Sequence, residues 1–113
     1  MPDYDRILVP TDGSEGVEKT LDHALSLARD HDAVVHALGV VDQRIAHAAD
    51  TAREEVLERL HERSDAAVTE VRTRAEEGGL EAVTEVREGV PDEEIVDYAD
   101  EVDADVIVIG THG

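Results

Sequence analysis

Short runs of consecutive apolar residues alternate along this chain with longer stretches of helical period. Arg6-Ile7-Leu8-Val9 reads as a short buried strand ended by Pro10. Thr11-Asp12-Gly13-Ser14 then supplies turn and capping chemistry. Val17, Leu21, Ala24, Leu25 and Ala28 hold one face of a helix predicted over residues 15–31. Residues 33–41 form a second strand, closed by Asp42, in which Gly39 marks a close approach of other chain.

From residue 46 to residue 77 there is neither Pro nor Gly, and Ala49, Ala52, Val56, Leu60, Ala67, Val71 and Ala75 keep helical spacing. Such a helix would run on the order of 45 Å, with its weakest point at Ser64-Asp65. Gly78-Gly79 ends it. A third, edge-like strand is predicted over residues 80–86. Val90-Pro91-Asp92-Glu93-Glu94 opens another helix, with proline in the first turn and acids at the positive end of the dipole. Its apolar face is Ile95, Tyr98, Ala99 and Val102. A last strand, residues 105–109, has the apolar run of a strand buried on both faces and leads into the turn Gly110-Thr111-His112-Gly113.

Strands separated throughout by helices imply a parallel sheet with right-handed crossovers, hence an α/β doubly wound, Rossmann-type fold in a single domain over residues 1–113. In such sheets ligands lie outside the carboxyl ends of the strands, where neighbouring connections leave to opposite faces. Glycines in a turn there let backbone N–H groups approach a phosphate.

Charge narrows the partners. With 29 acidic residues against 10 basic ones the formal net charge is −19, spread over every segment. That argues against nucleic acid and against an anionic membrane. The acids alternate with a regular apolar pattern, as on the carboxylate shell of a folded, halophile-like domain whose self-repulsion is screened in concentrated salt, where the Debye length at 1 M is about 3 Å. The core is aliphatic, with two Tyr and no Phe or Trp, so aromatic stacking on bases is not available. The absence of Cys removes disulfides, thiolate metal sites and thiol nucleophiles. No apolar run reaches the roughly 20 residues of a membrane span, and the acidic start is unlike a signal sequence. A cytoplasmic protein is the expectation.

Two places carry candidate chemistry. Asp12, at the carboxyl end of the first strand, can accept hydrogen bonds from a ribose or cap the following helix. Gly110-Thr111-His112-Gly113 can wrap a phosphate or merely turn the chain. His112 has no nucleophile or orienting partner in the pattern, so its backbone N–H is the expected contributor. His36 reads as a core or edge residue. His23, His31, His47 and His61 lack the paired spacing of a zinc site, so no metal site and no catalytic residue are assigned. Lys19, the only lysine, falls inside a helix, and neither a general base nor an arginine finger is legible. Hydrolysis is expected to be absent or weak.

The ordered set Arg6 to Ser14, Ala24-Leu25 with Ala28, Val40-Val41-Asp42, and Gly89-Val90-Pro91 through Ile95, Ala99 and Asp105 to Gly113 resembles the universal stress protein family, of UspA type, from end to end. The resemblance implies a sheet of order 3-2-1-4-5, of which four strands, in order 3-2-1-4, are represented in these residues. It implies an adenine-nucleotide-binding stress or signalling module that takes ATP, with Mg2+ as companion ion. Pro10, Thr11 and Asp12 would face ribose and base, and Val40 would meet adenine through its backbone. Ile109, Gly110, Thr111, His112 and Gly113 would form the near side of the phosphate loop. The family's second glycine pair, fourth helix and fifth strand find no counterpart here, so the expectation is a domain incomplete at its C-terminal side, homodimeric where a longer product supplies the fifth strand. The alternative is a scaffold for protein interaction and dimerisation that binds no nucleotide.

Overall fold

The computed structural model describes residues 4–11, 17–47 and 53–109. Its elements in chain order are β1 (Arg6–Thr11), α1 (Val17–His31), β2 (Val34–Asp42), α2 (Gln43–His47), α3 (Arg53–Glu77), β3 (Ala82–Gly89), α4 (Pro91–Glu101) and β4 (Val106–Ile107). The strands form one parallel sheet in the order β3-β2-β1-β4. This is the doubly wound arrangement expected from the alternation of strands and helices.

The register assigns each strand residue to a face. Ile7 pairs with Val35 and Val9 with Ala37, and all four belong to the larger core, closed by Leu21, Ala24, Leu25 and Ala28 of α1 and Val68, Val71 and Ala75 of α3. Leu8 and Leu38 point the other way and are covered by Tyr98, with Ile95, Ala99 and Val102 of α4 beside it. Period-two alternation on two covered faces turns the strands into nearly unbroken apolar runs. Ile7, Leu8, Val9, Val35, Ala37 and Leu38 are fully buried.

Several expectations change. Pro10 does not end β1 but lies within it, opposite Leu38. The carbonyls of Arg6 and Leu8 accept from Asp105 and Val108, so even-numbered residues of β1 turn their backbone toward β4. The β4 pairing stops at Leu8, so Pro10 has no ladder bond to lose on that side. Of the helix expected over residues 46–77, α3 describes Arg53–Glu77, while residues 48–52, with Ala49 and Ala52, lie outside the described residues. Its supposed weak point is a packing point. Ser64 is buried, and a Cβ added to Gly39 would sit 3.0 Å from Ser64 Cβ, so α3 lies directly on β2 there. Finally, β3 runs to Gly89 and β4 is only two residues long, with Val106, Ile107 and Val108 half-buried and Ile109 exposed. Val106 and Val108 pack against the larger core and Ile107 against the Leu8–Leu38 cluster, so both faces of β4 are covered, though only in part.

Helix ends follow a common plan. Asp32, Gly79 and Asp103 have left-handed φ values of 52°, 80° and 53°. In each case the next residue bonds five back: Ala33 to Ala28, Leu80 to Ala75 and Ala104 to Ala99, each at 2.9 Å. This is the Schellman closure, in which one left-handed residue turns the chain from helix toward the next strand.

Candidate functional site

The connections leaving β1 and β3 determine where a ligand can enter. The β1–β2 crossover, through α1, covers one face; the β3–β4 crossover, through α4, covers the other. Strands β1 and β4 are neighbours, so the reversal of winding falls between their carboxyl ends. Ile7 pairs with Val106 and Leu8 with Ile107, and Val108 donates to the Leu8 carbonyl at 2.9 Å.

The candidate residues are distributed around that point. Pro10 is half-buried and Thr11 is buried as the last residue of β1, opposite Gly39. Val40 lies one step further along β2, half-buried against the Leu8–Leu38 cluster. Val34 donates to the Asp5 carbonyl, so even-numbered residues of β2 direct their backbone toward β1. The carbonyl of Val40 is therefore aimed past Thr11, where β1 has ended. Ile109 is 59% exposed just beyond β4. Asp12, Gly110, Thr111, His112 and Gly113 lie outside the described residues.

The sheet rim holds a pair that periodicity does not reveal. Asp42, level with Gly89, accepts from the Arg44 backbone N–H at 3.0 Å and from its guanidinium at 2.9 and 2.8 Å. The hydrogen bonds from Arg44 hold the Asp42 carboxyl below the usual carboxylate range. The signal available in the sequence is the Asp-x-Arg spacing directly after a strand. This carboxylate is committed to the turn into α2 and is not a free base.

Behind the site, α4 is fastened to the sheet by charge. Arg87 of β3 reaches Glu101 at 2.5 Å, Glu85 at 3.1 Å and Glu94 at 4.0 Å, and its guanidinium lies 4.7 Å over the Tyr98 ring. These bonds, chiefly that to Glu101, raise the Arg87 pKa further. Among the described residues no group of three His, Cys, Asp or Glu side chains is placed to hold a metal ion, and no helix is long and apolar enough to cross a membrane.

Comparison with known proteins agrees with this geometry. Residues 3–113 match the universal stress protein family. The chain is 40% identical over 112 residues to universal stress protein MJ0531 of Methanocaldococcus jannaschii, covering 97% of this chain and 66% of that protein, just under two thirds of its length. It superposes on the universal stress protein UspA of Lactobacillus plantarum with a TM-score of 0.84 at 28% identity, covering 100% of this chain and 81% of that one. A universal stress protein of Archaeoglobus fulgidus, solved in complex with dAMP, superposes with a TM-score of 0.69 at 25% identity, covering 96% of this chain and 82% of that one. With its four-stranded sheet in the order 3-2-1-4 and a match across nearly its whole length, the chain belongs to the universal stress protein family.

Proposed function

We propose that this protein binds an adenine nucleotide, ATP in the first instance, at the carboxyl ends of β1 and β4 and acts as a stress-response module with little or no hydrolysis. The observation that carries the reading is the Val40 carbonyl, aimed past the end of β1 beside the point where the winding reverses. A backbone carbonyl fixed by a ladder can accept from the exocyclic amine of adenine. The dAMP complex of the Archaeoglobus fulgidus relative adds support from a neighbour. Pro10, Thr11 and Asp12 would line the ribose side. Ile109, Gly110, Thr111, His112 and Gly113 would hold the first phosphates through backbone N–H groups. Mg2+ would arrive on the phosphates and keep its waters, since the described residues offer it no cage.

No described residue at the crevice is arranged as a base for water, so the function is read as capture of nucleotide, in the cytoplasm, and its relay to a partner. Calorimetric titration with Mg-ATP in about 2 M KCl, where surface charge is screened, tests the reading. Binding in the micromolar range, about −8 kcal/mol, is expected for this chain. An absence of heat for ATP and dAMP alike would overturn it and leave the interaction scaffold.

A further inference from the structure

His36 is the one side chain in the central strands that the nucleotide reading does not use and that burial makes expensive to charge. It sits in β2 between Leu8 and Val83 and is 7% exposed. Its Nδ1 faces the Tyr98 hydroxyl of α4 at 3.5 Å, and the two rings meet edge to face at 6.1 Å. Among the described residues its Nε2 is buried with no partner. Tyr98 is itself 5% exposed and carries the Arg87 guanidinium on its ring.

We propose that the His36–Tyr98 contact is a proton-sensitive latch: charging the buried imidazole releases α4 from the sheet and draws the end of β4 away from the crevice. The neutral ring can accept the Tyr98 hydrogen at Nδ1. The imidazolium must donate from both nitrogens, and its Nε2–H finds no acceptor among the described residues. The surrounding charges do not compensate. Arg6 from β1 opposes the proton and Glu81, just before β3, favours it more weakly, while burial opposes it most. Of the other charged groups, Glu85, Glu94 and Glu101 are engaged with Arg87. Release at α4 is passed to β4 through the turn at residues 102–105, whose Ala104 N–H is bonded to the Ala99 carbonyl.

The sign follows from linkage. A histidine held below its ordinary 6.5 in the docked state keeps α4 in place above that value and loses it as pH falls. At pH 5.5, one unit lower, the undocked population rises by up to about tenfold.

Hydrogen exchange of residues 92–102, measured at pH 7.5 and 5.5 and corrected for intrinsic rates, tests the latch without any ligand. A drop in protection at pH 5.5 that is absent from the double variant His36→Phe, Tyr98→Phe is expected. Equal protection at both values in the unsubstituted protein, or an equal drop in the variant, overturns the proposal. If the variant does not fold, the His36 ring resonances decide: a midpoint coincident with the loss of α4 protection supports the latch, and a separate midpoint overturns it.

The effect on the crevice rests on the nucleotide reading. It predicts that ATP affinity falls with pH more steeply in the unsubstituted protein than in the variant, since the ionisation of ATP is common to both. Equal slopes with an undocked α4 overturn this link. No ATP binding at pH 7.5 overturns the nucleotide reading alone, leaving exchange to judge the latch.

Discussion

Single residues tighten this fold at positions where the pattern of apolar spacing is silent. Asp32 and Asp103 occupy left-handed conformations that cost an L-residue about 1 kcal/mol, and both place a carboxylate at the negative end of a helix. Replacing either with Gly removes both penalties against a smaller loss in unfolded-chain entropy. Each of Asp32→Gly and Asp103→Gly is therefore expected to stabilise by about 0.5 kcal/mol, read as a rise of a few degrees in Tm. Asp105 behaves oppositely. Its Oδ2 accepts from the backbone N–H groups of Asp5 at 2.7 Å and Arg6 at 3.0 Å, and these bonds hold its carboxyl below the ordinary 3.8. The stabilisation is present above pH 3.8 and is lost as pH falls through the depressed native value. Asp105→Asn should lower Tm at pH 7, and the difference from the unsubstituted protein should shrink toward pH 3 in thermal melts.

At the scale of elements, periodicity and end signals carry far, and their failures have physical causes. The glycine pair at 78–79, Pro91 with its acids and the second strand, expected over residues 33–41 and found at Val34–Asp42, were all legible, because each rests on local backbone preference. Pro10 misled because proline forbids a ladder bond only on the side where a partner strand stands, and the sequence does not say where β4 stops. Ser64 misled because a small polar residue looks like a flaw in a helix until Gly39 is seen beneath it. The same partnership predicts that Gly39→Val forces α3 off β2 and destabilises by roughly 2 kcal/mol, with Gly39→Ala costing less, measured by urea unfolding. Of the residues that the family resemblance singles out, Pro10 and Thr11 stand at the end of β1, Val40 near the end of β2 and Ile109 just beyond β4. The Asp42–Arg44 pair shows in the sequence only as an Asp-x-Arg spacing that periodicity passes over, and the His36–Tyr98 contact was not legible. The latter joins residues 62 positions apart, a separation no local pattern spans.

For the whole molecule, charge is the variable that experiment can turn most easily. A net charge of −19 on a domain with an aliphatic core means that folding works against self-repulsion, which salt relieves. Tm should rise steadily from about 0.1 to 2 M KCl, and a flat profile would remove the halophilic reading. The clasp between Asp105 and residues 5–6 has a consequence in time as well as in space. It joins groups 99 and 100 positions apart, and β1, at the middle of the sheet, is closed on its second side only by β4. During synthesis at about 5–20 residues per second, β1 and β2 can pair early, yet the centre of the sheet keeps an open flank for several seconds more. The strand between β2 and β4 thus waits for a partner made much later, and the nascent chain is most vulnerable to wrong partners where β1 is most deeply buried.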